Sequence, residues 1–132
     1  MESVTIKSVK GRRSLTLSNR NGDYFDVELA GDAVSAKKGI WGYTDTDFLA
    51  GLFESIAQDW KGWDGERQWA AIEGDLRITA TSDKLGHIRL DVVIRNNDLE
   101  DDWQLDVPIY LDAGGLDVIA SNMRRFIIQQ QE

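Results

Sequence analysis

From Ser3 to about Trp41 the apolar residues fall at every second position: Val4 and Ile6, then Leu15 and Leu17, then Phe25, Val27 and Leu29. That period puts each set on one face of a β-strand. Lys10-Gly11, Asn19 to Gly22, and Gly31-Asp32 separate the runs and supply the backbone freedom that hairpin turns need. At Thr44 the spacing changes to three and four. Phe48, Leu49, Leu52, Phe53, Ile56 and Trp60 then line one side of a helix, with Thr44, Asp45 and Thr46 as capping candidates and Gly62 as its stop. Alternation resumes with Leu76, Ile78 and Ala80, then Ile88, Leu90, Val92 and Ile94, then Trp103, Leu105, Val107, Ile109 and Leu111. Trp69 and Ala71 have the opposite parity to Ile72, Leu76 and Ile78, which a bulge at Gly74 within one strand reconciles. Pro108 cannot donate a ladder hydrogen bond, so its strand belongs at a sheet edge or is bulged. A second helix follows Gly114-Gly115, with Leu116, Ile119, Ala120, Met123 and Ile127 inward. The pattern predicts one α+β domain over residues 1–132. It has a curved antiparallel sheet of about seven or eight strands and two helices, in the order β-β-β-β-α-β-β-β-α.

Charge narrows the possible partners. Fifteen Lys and Arg stand against 23 Asp and Glu, a net charge of −8, which disfavours nucleic acid and anionic membranes and favours a basic partner. With no cysteine and one histidine, thiolate chemistry, disulfides and the usual zinc sites are excluded, and a metal is limited to a hard cation on carboxylates. The acidic run Asp98, Glu100, Asp101, Asp102 lacks the spacing of a calcium loop and reads as solvated. No cofactor is implied. MESVTIKSVKGRRS has no signal-peptide pattern, and nowhere does a membrane-length apolar run occur, so the expectation is a soluble cytoplasmic protein.

Candidate chemistry is sparse. In WKGWDGERQW, residues 60–69, helical register makes Trp60 core, and Trp69 opens a strand. Trp63 is either a packing anchor at the helix-to-strand corner or an exposed platform. With Tyr43, and with His87 nearby, such a platform would bind a carbohydrate or small ligand. Asp64-Gly65 reads as a turn. His87 is the only side chain suited to general-base work at neutral pH, yet no serine or cysteine is linked to it by pattern. A histidine beside a hairpin glycine more often covers the turn, and a hydrolase built on it ranks third. Glu73 and Asp75 have the spacing of a carboxylate pair on one strand face, but a bulge at Gly74 points them apart.

DWKGWDGERQW (Asp59 to Trp69), EGDLRITAT (Glu73 to Thr81) and GHIRLDVVIR (Gly86 to Arg95) resemble a bacterial, mainly actinobacterial, family of uncharacterised function with a Gly-Trp-Asp-Gly-Glu core. Through EGDLRI, DKLGHIRL and the order of elements, that family is similar to immunity proteins of the wall-associated toxin (WapI) type, which neutralise a nuclease toxin inside the producing cell. The resemblance implies a non-catalytic protein that occludes a basic toxin. It carries over no binding residues. Charge supplies the candidates, because clustered carboxylates steer and hold a cationic surface: Asp64, Glu66, Asp98, Glu100, Asp101 and Asp102.

Overall fold

The computed structural model describes residues 2–128. Among these, β1 (Ser3–Lys7), β2 (Arg13–Asn21), β3 (Tyr24–Gly31) and β4 (Ser35–Trp41) precede helix α1 (Thr46–Gln58). Then come β5 (Arg67–Ala70), β6 (Leu76–Ser82), β7 (Ile88–Asn97), β8 (Asp102–Leu111), a 3-10 turn over Ala113–Gly115, and helix α2 (Leu116–Ile128). The α+β class and the alternation of strand blocks with single helices follow the sequence pattern. The strands, however, divide into two antiparallel sheets of four, β1-β2-β3-β4 and β5-β6-β7-β8, instead of one curved sheet. The physical reason is the chain path: each block is a run of hairpins, and α1 carries the chain away from β4 before β5 begins.

The inward residues of both sheets and both helices form one contiguous core, including Leu15, Leu17, Phe25, Ile40, Phe53, Ile78, Leu90, Ile109, Met123 and Phe126. Phe25 packs edge-on against Phe126 at 6.5 Å and tilted against Trp69. Trp69 is buried, and its Nε1 donates to the Asp45 carbonyl at 2.9 Å, which ties β5 to the start of α1.

Three expectations need correction. Trp60 is 49 % exposed and Phe48 68 %: α1 ends at Gln58 with Asp59 as its cap, so Trp60 lies outside the helix whose register would have buried it. Phe48 sits in the first turn on the solvent side, while Leu49, Ala50, Leu52, Phe53 and Ile56 form the buried stripe. Residues 69–82 are also not one bulged strand. Trp69 pairs with Ile78 and Ala70 with Arg77, and Gly74, at φ +77°, turns the chain between two strands, its N–H donating to the Ala71 carbonyl at 2.9 Å. A positive-φ glycine fits a hairpin turn as readily as a bulge, which is why sequence parity alone misassigned it.

Pro108 lies on an edge strand, since β8 closes one side of the second sheet. The loop between β1 and β2 runs along that edge: Val9 N donates to the Tyr110 carbonyl at 2.8 Å, Tyr110 N to Ser8 Oγ at 2.9 Å, and Arg13 Nε to the Pro108 carbonyl at 2.9 Å. These bonds fasten one sheet to the other.

The helices are joined by Arg124, whose guanidinium donates to both oxygens of Glu54, at 3.0 and 2.5 Å, and to Asp47. The hydrogen bond from Arg124 is the main cause that holds Glu54 below the ordinary carboxylate range. A depressed folded-state pKa contributes stability above the unfolded value, and this is lost as pH falls through the folded one. Because Glu54 is half exposed, screening limits the effect to about 1 kcal/mol or less. Arg124→Ala is therefore expected to lower the urea midpoint slightly near neutral pH, with the difference from wild type shrinking below about pH 4. A difference that grows in acid would contradict this.

Candidate functional site

The register of the second sheet determines which charged residues share a surface. Ile88 of β7 pairs with Leu111 and Asn97 with Asp102, while Leu76 of β6 pairs with Ile94. One end of the sheet therefore carries the β5–β6 turn and the β7–β8 turn. The other carries the α1–β5 loop, the β6–β7 turn and the end of β8.

At the first end the run 98–101 is a tight hairpin turn. Asp98 Oδ1 accepts from Glu100 N at 2.9 Å, and Asn96 Nδ2 donates to the Asp101 carbonyl at 2.6 Å. Asp98, Glu100, Asp101 and Asp102 all face solvent. Among the described residues the ion pair recorded for them is Arg95 with Asp102, at 4.0 Å. The β5–β6 turn adds Glu73 and Asp75, held by Asn97 Nδ2 to the Glu73 carbonyl at 3.1 Å and to Asp75 Oδ1 at 3.3 Å. Asp75 is neutralised by Lys38 at 3.3 Å. Two apolar side chains stand among these acids: Leu99, at 102 % relative exposure, and Ile72, at 55 %. Neither stands out in the sequence: Leu99 lies within an acidic loop, and alternation puts Ile72 on a strand face that does not exist.

Asp64 and Glu66 are not part of this surface. They precede Arg67, which pairs with Ala80, and so lie at the opposite end, about 20 Å away along the strands at ~3.3 Å per residue. The six carboxylates proposed from sequence as one docking set are thus split four and two.

The Gly-Trp-Asp-Gly-Glu core makes a corner. Arg67 reaches back to the end of α1, with Nη1 donating to the Ser55 carbonyl at 3.0 Å and Nη2 to Asp59 at 2.6 Å. It thereby adds a second donor to a carbonyl that already accepts the cap N–H of Asp59 at 3.1 Å. Its guanidinium also lies 4.6 Å from the Trp63 ring centre. Trp63 is half-buried and packs against the core, as the packing-anchor reading expects. Tyr43 belongs to a different group, stacked edge-on against Trp41 at 5.5 Å before α1 begins. The length of α1 holds it roughly 20 Å from Trp63. The two do not form a shared ligand site. Trp63 Nε1 is buried with no hydrogen-bond partner among the described residues. Trp63→Phe is therefore expected to change stability by less than about 0.5 kcal/mol, whereas Trp69→Phe, which removes a made bond and trims a fully packed ring, should cost about 1 kcal/mol or more. Equal effects in urea unfolding would contradict the assignment.

Also at this end, a cleft of about 550 Å³ opens between the β1–β2 loop and the β6–β7 turn. His87 lines it, with Nδ1 donating to Asp83 Oδ2 at 2.8 Å. Asp83 also accepts from the backbone N–H of His87 and of Leu85, and it is the His87 N–H first of all that holds its carboxyl below the usual range. Ser82 Oγ donates to the Asp83 carbonyl at 2.8 Å, so that hydroxyl is engaged away from the imidazole. Trp63 lines a separate, smaller cavity with Lys61, Asp64, Asp83 and Lys84. Among the described residues no group of three or more potential ligands is placed to hold a metal ion, and no helix is long and apolar enough to cross a membrane.

With this geometry in view, the sequence pattern of the Family of unknown function (DUF6228) matches residues 6–130. The chain belongs to the DUF6228 family. No curated protein matches it in sequence. In structure this DUF6228 chain is similar to Trypanosoma bruciei MRP1/MRP2, with TM-score 0.57 and 9 % identity over 98 % of this chain and 85 % of that one. It is also similar to the plant transcriptional regulator PBF-2, with TM-score 0.50 and 12 % identity over 98 % and 81 %. At such identities the likeness is one of fold.

Proposed function

We propose that this DUF6228 protein is a non-catalytic binding protein of the immunity type, one that docks a basic protein toxin through the β7–β8 turn and the adjoining β5–β6 turn. The observation that carries the reading is Leu99, a fully exposed apolar side chain at the tip of a hairpin, flanked by Asp98, Glu100, Asp101 and Asp102. An apolar anchor inside a charged rim is the anatomy of a protein-docking surface: the anchor contributes affinity when desolvated, and the rim contributes orientation and rate. The net charge of −8 favours a cationic protein over the phosphate backbone that the fold likeness to a transcriptional regulator would otherwise bring to mind. The resemblance of EGDLRI and DKLGHIRL to WapI-type immunity proteins gives the partner its class, a toxin met in the cytoplasm of a bacterium. Occlusion would be steric and electrostatic, with no bond made or broken.

The test is affinity capture from the source organism with three baits: wild type, a Leu99→Ala/Asp101→Lys/Asp102→Lys variant, and an Asp64→Lys/Glu66→Lys variant. A basic protein should be retained by the wild type and by the Asp64/Glu66 variant, and lost by the Leu99 variant. An acidic partner, or loss only with the Asp64/Glu66 variant, would contradict the reading.

A further inference from the structure

At the far end of the second sheet from the proposed docking surface, the cleft lined by Lys10, Ser82, His87, Arg89, Tyr110 and Asp112 has features the docking reading does not use. Its volume of about 550 Å³ is that of a small-molecule site. In a strongly acidic chain it gathers cations around one ring: Lys10 Nζ lies 4.2 Å and the Arg89 guanidinium carbon 5.8 Å from the centre of Tyr110. Among the described residues Lys10 is within ion-pair distance of no carboxylate. Arg89 uses Nε on Asp91 at 3.0 Å and Nη1 on the Tyr110 hydroxyl at 3.4 Å, so Nη2 has no partner among the described residues. Two cation heads are thus held on different elements with donors to offer.

His87 is oriented as well. With Nδ1 committed to Asp83, Nε2 is the ring nitrogen open to a ligand hydroxyl. Asp83 is itself occupied by three N–H donors. Asp112, exposed at the rim, is a second acceptor. A bare anion would meet Lys10 and Arg89 but also the field of Asp83 and Asp112. A molecule with hydroxyl groups as well as an anionic group would satisfy both sets. We infer that this cleft binds a small phosphorylated polyol, with Lys10 and Arg89 holding the phosphate and His87 Nε2 and Asp112 accepting from its hydroxyls. A phosphate fits because its several oxygens can bridge an ammonium and a guanidinium, and the volume leaves room for an organic body.

The test is ¹⁵N-resolved NMR titration with three probes: ribose 5-phosphate, inorganic phosphate and ribose. Ribose 5-phosphate should give saturable shifts at Lys10, His87, Arg89 and Tyr110 with a Kd of about 1 mM or tighter. Inorganic phosphate should bind at the same residues roughly tenfold more weakly, and ribose should not saturate. Lys10→Ala should weaken both anions about tenfold. His87→Ala should weaken ribose 5-phosphate severalfold and leave inorganic phosphate unchanged, which a merely structural histidine would not do. Lys37→Ala, on β4, serves as the charge control and should have no effect. Absence of saturation by ribose 5-phosphate at about 20 mM, or equal weakening by Lys10→Ala and Lys37→Ala, would overturn the inference. Neither result bears on toxin docking, which depends on the other end of the sheet.

Discussion

Gly62→Ala is expected to lower the unfolding free energy by about 2 to 4 kcal/mol, well beyond the effect of the same change three residues later. Gly62 has φ +116°, and a methyl there would lie 2.5 Å from the backbone oxygen of Asp83 and 3.1 Å from Ser82 Oγ. Backbone strain and a clash with a carbonyl that cannot rotate away therefore act together. Gly65 has φ +79°, but a methyl on it would meet nothing within 4 Å, so only the conformational penalty of about 1 to 2 kcal/mol applies. Gly86, at φ +80°, makes the reciprocal contact, since its added methyl would fall 2.7 Å from the Trp60 carbonyl oxygen. The α1–β5 loop and the β6–β7 turn thus touch backbone to backbone at two glycines. Urea midpoints of Gly62→Ala and Gly65→Ala decide the matter: equal losses would mean that the close approach contributes nothing. The Gly-Trp-Asp-Gly-Glu run is then explained by architecture. It closes a corner, with Arg67 bonded to the end of α1 and stacked on Trp63.

Strand faces were legible in the sequence because alternation is local: Leu15 and Leu17, or Ile88 and Leu90, are buried whatever strand lies beside them. Turn glycines were legible for the same reason, and Gly11, Gly22 and Gly86 all have positive φ. Strand partners were not. Alternation gives a face and no neighbour, so the split into two sheets at α1 left no trace in the hydrophobic pattern. Trp60 was misplaced because helical spacing continues past the residue where the helix ends. The candidate site suffered most. Asp64 and Asp101 look alike in sequence, as acids beside turns, and only the register of β6 with β5 and β7 reveals that they occupy opposite ends. The cleft was invisible, since Lys10 and Tyr110 come from distant parts of the chain and are brought together by the bonds from the β1–β2 loop to β8.

Reversing Asp101 and Asp102 to lysine should reduce the rate of binding to the basic partner by about tenfold or more at low salt, because clustered surface charge contributes ten- to thousandfold to steered encounter. Both side chains are exposed, and Asp102 has only a long contact with Arg95 at 4.0 Å, so folding stability should move by less than about 0.5 kcal/mol. Leu99→Ala should instead raise the dissociation rate, since an apolar anchor acts after encounter. The most direct measurement is the association rate of the captured partner as a function of ionic strength, for wild type, Asp101→Lys/Asp102→Lys and Asp64→Lys/Glu66→Lys. The wild-type rate is expected to fall steeply with salt. The Asp101/Asp102 variant should be slow at low salt and converge with wild type once the Debye length shrinks to about 3 Å near 1 M, and the Asp64/Glu66 variant should track wild type. A wild-type rate indifferent to salt, or equal losses from reversals at the two ends of the sheet, would contradict it.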